Sequence, residues 1–237
     1  MNFSVVIPVF NEERRLQKTA NEIFDFFAKQ SSPVEIIFVD DGSTDNTLSL
    51  LHQYANQHGC KVISYGENRG KGYAVRQGAL AAASNWVVFF DVDLATPLVE
   101  FENLQRFIQP GDQVVVGSRR LEKSHIEKYE SKLRTFLGRG FTKISNILVP
   151  NITDFTCGFK CFSKEAVQKI FTVARIDRWG FDTELLYIAT LKHIPIKQMP
   201  VRWAHDEDSR VKVFKAVVSS LKELMEMKAN QLKGLYK

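Results

Sequence analysis

No stretch of this 237-residue sequence approaches the run of about eighteen apolar residues that a membrane-spanning helix needs. The amino-terminal MNFSVVIPVFNEE has no basic segment ahead of its short apolar run, so a secretory leader is not expected. Three cysteines, Cys60, Cys157 and Cys161, are too few for a disulfide framework, and with five scattered histidines they show no zinc-binding spacing. They are expected to be reduced core thiols in a cytosolic protein. Internal repeats, low-complexity tracts and obvious linkers are also missing. So are the two common nucleotide loops. Gly66 and Gly70 enclose three residues where a P-loop needs four, and Gly72 follows Lys71 where that loop needs Ser or Thr. A dinucleotide fingerprint would need glycine at Val75 and would follow the first strand.

What remains is the composition of a folded soluble domain, 44% hydrophobic and 25% charged, which excludes disorder. A formal net charge of +5 points to anionic partners such as a nucleotide, a phosphate or a lipid headgroup. No nucleic-acid partner is expected. Five strand-like runs, FSVVIPV, VEIIFVD, KVISY, WVVFFDVD and QVVVGS, alternate with helical patterns around Leu16–Phe27, Thr47–Tyr54, Tyr73–Ala83 and Leu98–Ile108. Gly59 stands where a helix C-cap belongs. The pattern predicts an α/β fold with a mostly parallel sheet covered by helices on both faces. Beyond Ser118 the chain predicts amphipathic, Lys/Arg-rich helices over Lys132–Val149 and Val211–Leu235. Between them lie a short strand and two helices in GFKCFSKEAVQKIF and GFDTELLYIATL, then a strand in IPIKQMPVRW. A single domain over 1–237 is expected, with a first half at 1–120, a second part at 121–210 and a C-terminal amphipathic helix at 211–237.

Ligands of open α/β sheets bind beyond the carboxyl ends of the strands, and each of the five strands ends in a polar cluster. The sharpest is Asp91-Val92-Asp93. Read as the end of an extended strand, residues two apart share a side, so both carboxylates can approach one hard cation, Mg²⁺ or Mn²⁺, that also takes phosphate oxygens. Thr96-Pro97 followed by Glu100 reads as the start of the next helix, with Thr96 as its N-cap.

The motifs VVIPVFNEE, IIFVDDGSTDNT, NRGKGYAVRQG, FFDVDLATP, VVGSR, DFTCGFK and RWGFDTELL, in this order from about residue 3 to about residue 210, resemble family 2 inverting glycosyltransferases of the GT-A fold. The branch they resemble is the dolichyl- and polyprenyl-phosphate glucosyl- and mannosyltransferases. The resemblance implies a pocket for base and ribose at Pro8, Phe10, Glu12 and Asp40, next to Asp41, with Asn68 and Lys71 near the nucleotide. It implies a metal at Asp91 and Asp93 and a phosphate-serving basic residue at Arg119. An acceptor-side helix is implied at Trp179, Asp182 and Glu184, with a closing loop over His205–Arg210. Ala95 stands where mannosyl relatives often carry Gln, which favours UDP-glucose over GDP-mannose as donor and removes a ligand that mannosyl relatives can use.

A lipid monophosphate is already an anion at neutral pH and needs cations rather than a base, and Arg119, Arg120, Arg134 and Arg139 supply them. The expected reaction is therefore metal-dependent, inverting transfer of a hexose from the nucleotide sugar to polyprenyl phosphate. Its expected place is an anionic membrane surface, with the protein peripheral on the cytoplasmic face. A rival of the same class is a soluble enzyme glycosylating a saccharide hydroxyl with Asp182 as general base. A rival of another class is a nucleotide-sugar-binding protein without turnover.

Overall fold

A computed structural model describes residues 1–128, 132–205 and 213–237, with the side chains at 128, 132–134, 213–218 and 220 outside the description. The first half alternates as the apolar periodicity predicts. Strand β1 (Phe3–Val9) leads to helix α1 (Glu13–Ala28), β2 (Val34–Asp40) to α2 (Thr47–His58), β3 (Lys61–Ser64) to α3 (Lys71–Ala81), β4 (Trp86–Phe89) to α4 (Val99–Phe107), and β5 (Val114–Ser118) follows. The second half adds β6 (His125–Lys128), α5 (Lys132–Ser145), β7 (Lys160–Ser163), α6 (Lys164–Phe171), α7 (Phe181–Leu191), β8 (Ile196–Pro200), β9 (Arg202–Ala204) and α8 (Val213–Leu232).

Among the described residues the main sheet has seven strands in the order β3-β2-β1-β4-β7-β5-β8. Every pairing is parallel except those of β7, which runs antiparallel between β4 and β5. Strand order reverses between β1 and β4, and such a switch point opens a crevice at the carboxyl ends of the strands. Strands β6 and β9 pair in a separate small sheet, so the stretch IPIKQMPVRW, expected as one strand, divides at Val201 between two sheets.

Side chains alternate across the sheet as the period of two requires. Val6, Ile37, Val39, Val87 and Phe89 join a core built with α3, α6, α7 and α8. Val5, Ile7, Phe38 and Val88 face the other way, against Leu16, Ile23, Phe24 and Phe27 of α1, Leu51 of α2, and Phe101 and Leu104 of α4. All three cysteines are buried and unpaired, and burial pushes the Cys157 thiol up to about 11. Gly59 terminates α2 with a φ of 71° and donates to the Ala55 carbonyl at 2.9 Å, as its position predicts.

Two local expectations are corrected. Strand β4 stops at Phe89, so Asp91 and Asp93 are not on an extended strand; they lie in a turn closed by a 3.1 Å bond from the Leu94 N–H to the Asp91 carbonyl, with Leu94 at φ 51°. Thr96 does not cap α4. The helix starts at Val99 behind Leu98 with no side-chain cap, because the Pro97 and Leu98 carbonyls already accept the Glu100 and Phe101 N–H groups at 2.9 Å.

Helix α3 lies so close to the sheet that a Cβ at Gly78 would stand 2.3 Å from Val6 Cγ1 and 2.9 Å from Val39 Cγ2. Gly78→Ala is expected to destabilise the fold by about 1–3 kcal/mol through overpacking, read as a lower urea midpoint with an unchanged m-value.

Candidate active site

The loops after β1 and β2 are laced together. Asn11, held at φ 55°, accepts the Thr44 N–H on its side-chain oxygen at 2.7 Å, while its own N–H donates to Ser43 Oγ at 2.9 Å. The Glu12 N–H donates to Thr47 Oγ1 at 2.9 Å, and its carboxylate accepts from Arg15 at 2.7 Å. Phe10 is left exposed at this rim, and Pro8 sits half-buried within β1. Asp40 is buried, accepting from the Ser43 N–H at 3.2 Å and Ser64 Oγ at 3.0 Å.

Its neighbour Asp41 organises the next loop. One carboxylate accepts from the Tyr65 hydroxyl (2.9 Å), the Asn68 amide (2.8 Å) and the Arg69 and Gly70 N–H groups (2.9 and 2.8 Å). Asp41 and Asn68, expected near the nucleotide, thus bond each other and hold the loop that presents Lys71. The glycines flanking Lys71 serve close packing. A Cβ at Gly70 would stand 2.4 Å from the Asp177 carbonyl, and one at Gly72 would stand 2.5 Å from Phe181 Cβ.

Lys71 opens α3 and places its ammonium 2.5 Å from Asp91 Oδ1. Burial works against this charge, but Asp91, Asp182 and Asp93 outweigh it and hold the ammonium above its ordinary range. Burial, then the Asp91 carboxylate, pushes Asp93 above the usual carboxylate range, although the Ala95 N–H donates to its Oδ1 at 3.0 Å. Gly158 walls the other side of Asp91, since a Cβ there would fall 1.9 Å from Asp91 Oδ2. Among the described residues no group of three or more His, Cys, Asp or Glu can hold a metal by itself. Two adjacent carboxylates already carrying one cation, the Lys71 ammonium, are nonetheless a suitable oxygen donor set for Mg²⁺ or Mn²⁺ once further oxygens come from a phosphate ligand.

Asp182, in the first turn of α7, is buried and accepts on Oδ1 from Lys160 Nζ at 2.5 Å. Burial pushes its carboxyl up, against the pull of Lys160 and Lys71. Glu184, two residues on in the same motif, is spent on structure: it accepts the Arg175 and Ile176 N–H groups at 2.9 and 2.8 Å and the Tyr236 hydroxyl at 2.6 Å. Trp179 stands exposed just before α7.

The arginines are placed differently from a simple anion cradle. Arg119 makes a fork to Asp154, with Nε at 2.6 Å from Oδ2 and Nη2 at 2.9 Å from Oδ1, reaches Thr156 Oγ1 at 2.8 Å, and lies 5.1 Å from the Trp203 ring centroid. Arg120 donates to Thr142 Oγ1 and to the Thr153 carbonyl, tying the end of β5 to α5. Arg139 is exposed on α5. The side chain of Arg134 and all of Arg210 lie outside the described residues, as does the rest of the expected closing loop beyond His205, whose ring is 5.9 Å from that of Trp203.

Three residues with a part in this site were missed or given no role from sequence: Lys160, Gly158 and Asp154. Asp154, Gly158 and Lys160 all fall within DFTCGFK, and the available signal was a lysine set among apolar residues in a strand bound for the centre of a sheet.

The matching family model, Glycosyl transferase family 2, covers residues 4–171. The dolichyl-phosphate beta-glucosyltransferase of Mus musculus is 36% identical over 250 residues, covering 99% of this chain and 77% of that protein. The protein of the same name from Dictyostelium discoideum is 32% identical over 99% of this chain and 76% of its own length. Among solved structures, glucosyl-3-phosphoglycerate synthase from Mycobacterium tuberculosis in complex with Mn²⁺, UDP-glucose and phosphoglyceric acid superposes with a TM-score of 0.71 at 22% identity, covering 95% of this chain and 79% of that one. That likeness shows the GT-A fold.

The Arg119–Asp154 pair makes a pH prediction. Burial would raise the Asp154 carboxyl, but Arg119 overrides it and holds it well below the usual range. Its contribution to stability is therefore complete above the unfolded carboxylate pKa of about 4 and fades as pH falls below it. Asp154→Asn, which leaves Arg119 without its buried partner, is expected to cost about 3–5 kcal/mol near pH 7. In urea unfolding between pH 3 and 7, the gap between wild type and variant should narrow as pH drops below about 4.

Proposed function

The chain belongs to glycosyl transferase family 2, and from that premise we propose that it transfers glucose from a nucleoside diphosphate sugar, UDP-glucose before GDP-mannose, to a dolichyl or polyprenyl phosphate. The observation that carries this reading is likeness along essentially the whole chain, at 32–36% identity, to proteins named dolichyl-phosphate beta-glucosyltransferase. The charge cluster at the β4 rim supports it.

Asp91 and Asp93 would hold Mg²⁺ or Mn²⁺, which supplies charge neutralisation to the departing nucleoside diphosphate. Lys71 adds its ammonium at the same point, where a phosphate oxygen would compete with Asp91 for it. The buried Asp40 and exposed Phe10, with Pro8 and Glu12, form the rim assigned to base and ribose. Asp182, in the first turn of α7, lies close enough for the charges of Lys71 and Asp91 to act on it. An acceptor phosphate has its second pKa near about 6 and arrives as an anion, so no side chain need remove a proton from it. The rival acceptor, a saccharide hydroxyl, would call on Asp182 as base. The raised Asp182 carboxyl suits that role, but its Oδ1 is occupied by Lys160. Arg119, forked to Asp154 and 5.1 Å from the Trp203 ring centroid, is assigned to the acceptor side, with Arg120 and Arg139 as further candidates.

Access to a polyprenyl chain fits a peripheral position on the cytoplasmic face of a membrane. No described helix is long and apolar enough to cross one. The apolar stripe of α8 divides: Leu224 and Met227 pack into the core, while Met225 and Leu232 are exposed. Phe136 on α5 and Ile147 just beyond it are exposed as well, among lysines and arginines, and this pairing of apolar and basic side chains suits an anionic bilayer surface.

Purified protein incubated with Mn²⁺, a panel of nucleotide sugars and a short polyprenyl phosphate should yield lipid-linked glucose from UDP-glucose. Asp93→Asn should lower that rate by about 100-fold or more. Product formed with saccharide acceptors alone would overturn the reading. Separately, the protein should co-sediment with anionic vesicles, less so in high salt, and Phe136→Ser with Ile147→Ser should weaken it further. Equal recovery with and without vesicles at low salt would remove the membrane from the proposal.

A further inference from the structure

We propose that Lys160 is a positioning residue that withholds Asp182 from the cation site at Asp91 and Asp93, so that the site retains a divalent cation only together with the donor's diphosphate. The inference rests on the metal-dependent reading above. Lys160 is fully buried at the middle of the sheet, on the antiparallel strand β7, opposite Phe89 of β4 and Val116 of β5. Phe89 is two residues before Asp91. A buried ammonium is costly, and replacing a buried ion pair with well-packed apolar groups is often neutral or stabilising, so stability alone gives no reason for a lysine here.

Its geometry gives a reason. Nζ lies 2.5 Å from Asp182 Oδ1 and 2.6 Å from the Cys157 carbonyl, with the Phe89 ring centroid 5.4 Å away. One ammonium thus holds two groups at once, the Asp182 carboxylate and the Cys157 carbonyl. The Cys157 carbonyl belongs to the peptide that carries Gly158, the wall against Asp91 Oδ2. Asp182 is the carboxylate of α7 near enough for its charge to be felt at both Lys71 and Asp91. Without Lys160, three carboxylates would share one ammonium, Lys71. Asp182 would then be free to pull Lys71 off Asp91 or to join Asp91 and Asp93 as a third ligand. Hard cations bind more tightly as carboxylates are added, and a site that traps the metal ahead of the donor has lost its dependence on the diphosphate.

The measurement is Mn²⁺ affinity of the nucleotide-free protein, by calorimetry or the spin resonance of free Mn²⁺, beside turnover with UDP-glucose. Lys160→Met should bind Mn²⁺ about tenfold more tightly without nucleotide, since one carboxylate is released. Its turnover should fall by about 10–100-fold, the usual range for a lost outer-shell partner. Lys160→Met with Asp182→Asn, which leaves the buried charges balanced, should return Mn²⁺ affinity to the wild-type value without restoring turnover. Lys160→Arg should keep wild-type Mn²⁺ affinity and recover part of the rate. These last two variants carry the test if Lys160→Met does not fold. Unchanged nucleotide-free Mn²⁺ affinity in folded Lys160→Met, or wild-type turnover in the double variant, would overturn the proposal. Wild-type protein that binds Mn²⁺ and UDP but glucosylates no polyprenyl phosphate would sink the acceptor assignment and leave the role of Lys160 standing.

Discussion

Two ion pairs meet near the carboxyl ends of the strands, the partly exposed Lys71–Asp91 pair and the buried Lys160–Asp182 pair, and most of the surrounding construction keeps them there. Burying charges in a protein interior costs several kcal/mol per ion unless partners and hydrogen bonds compensate. Here the compensation comes from separate layers. Lys71 arrives on the first turn of α3, Asp91 on the turn after β4, Asp182 on the first turn of α7, and Lys160 from within the sheet itself. Displacing any of these elements would strand a charge. The reversed strand β7 is what makes the arrangement possible, because it carries Lys160 between β4 and β5 and delivers Gly158 to Asp91.

The glycines follow from the same crowding. Gly70 and Gly72 bracket Lys71 in a way that resembles a phosphate loop with the wrong spacing. Their use is to let α3 approach the segment 176–181 to within the reach of a Cβ, where the Tyr73 N–H donates to the Asp177 carbonyl at 3.1 Å. Lys71 is thereby held by backbone on both sides. Asp41 completes the restraint through its bonds to Asn68, Arg69 and Gly70, so one carboxylate of the Asp40-Asp41 pair builds the loop while the other accepts the Ser43 N–H.

What could be read from the sequence was local. Strands covered by helices on both faces announce themselves as apolar runs, and β1, β2 and β5 lie where those runs lie. The end of β4 was misread because Phe90 and Val92 continue its apolar pattern while their backbone has already turned, both side chains being buried in the α1/α4 face of the core. Long-range pairing was out of reach. Arg119 reads as a phosphate-serving cation until Asp154, 35 residues on, is folded against it, and Lys160 has no assignable partner until β7 is seen to enter the sheet antiparallel between β4 and β5. Resemblance marked DFTCGFK as a motif without saying what its residues do, since neither partner of Lys160 can be inferred from spacing.

The same pairs bear on which acceptor the site is built for. A hydroxyl acceptor needs a base with a lone pair open to it, whereas a phosphate acceptor needs a field that tolerates one more anion beside the donor. The cluster holds three carboxylates, Asp91, Asp93 and Asp182, against two ammonium groups, Lys71 and Lys160. One divalent cation brings that set from a net charge of −1 to +1 and the donor diphosphate, with about two negative charges, returns it to about −1, so removing Lys160 would make the field met by a second phosphate one unit more negative. Lys160 matters to this balance twice, as one of the positive charges and as the anchor that keeps Asp182 turned toward the sheet. A carboxylate released from that anchor would serve a hydroxyl better and a lipid phosphate worse, so the buried lysine favours the phosphate acceptor on electrostatic grounds.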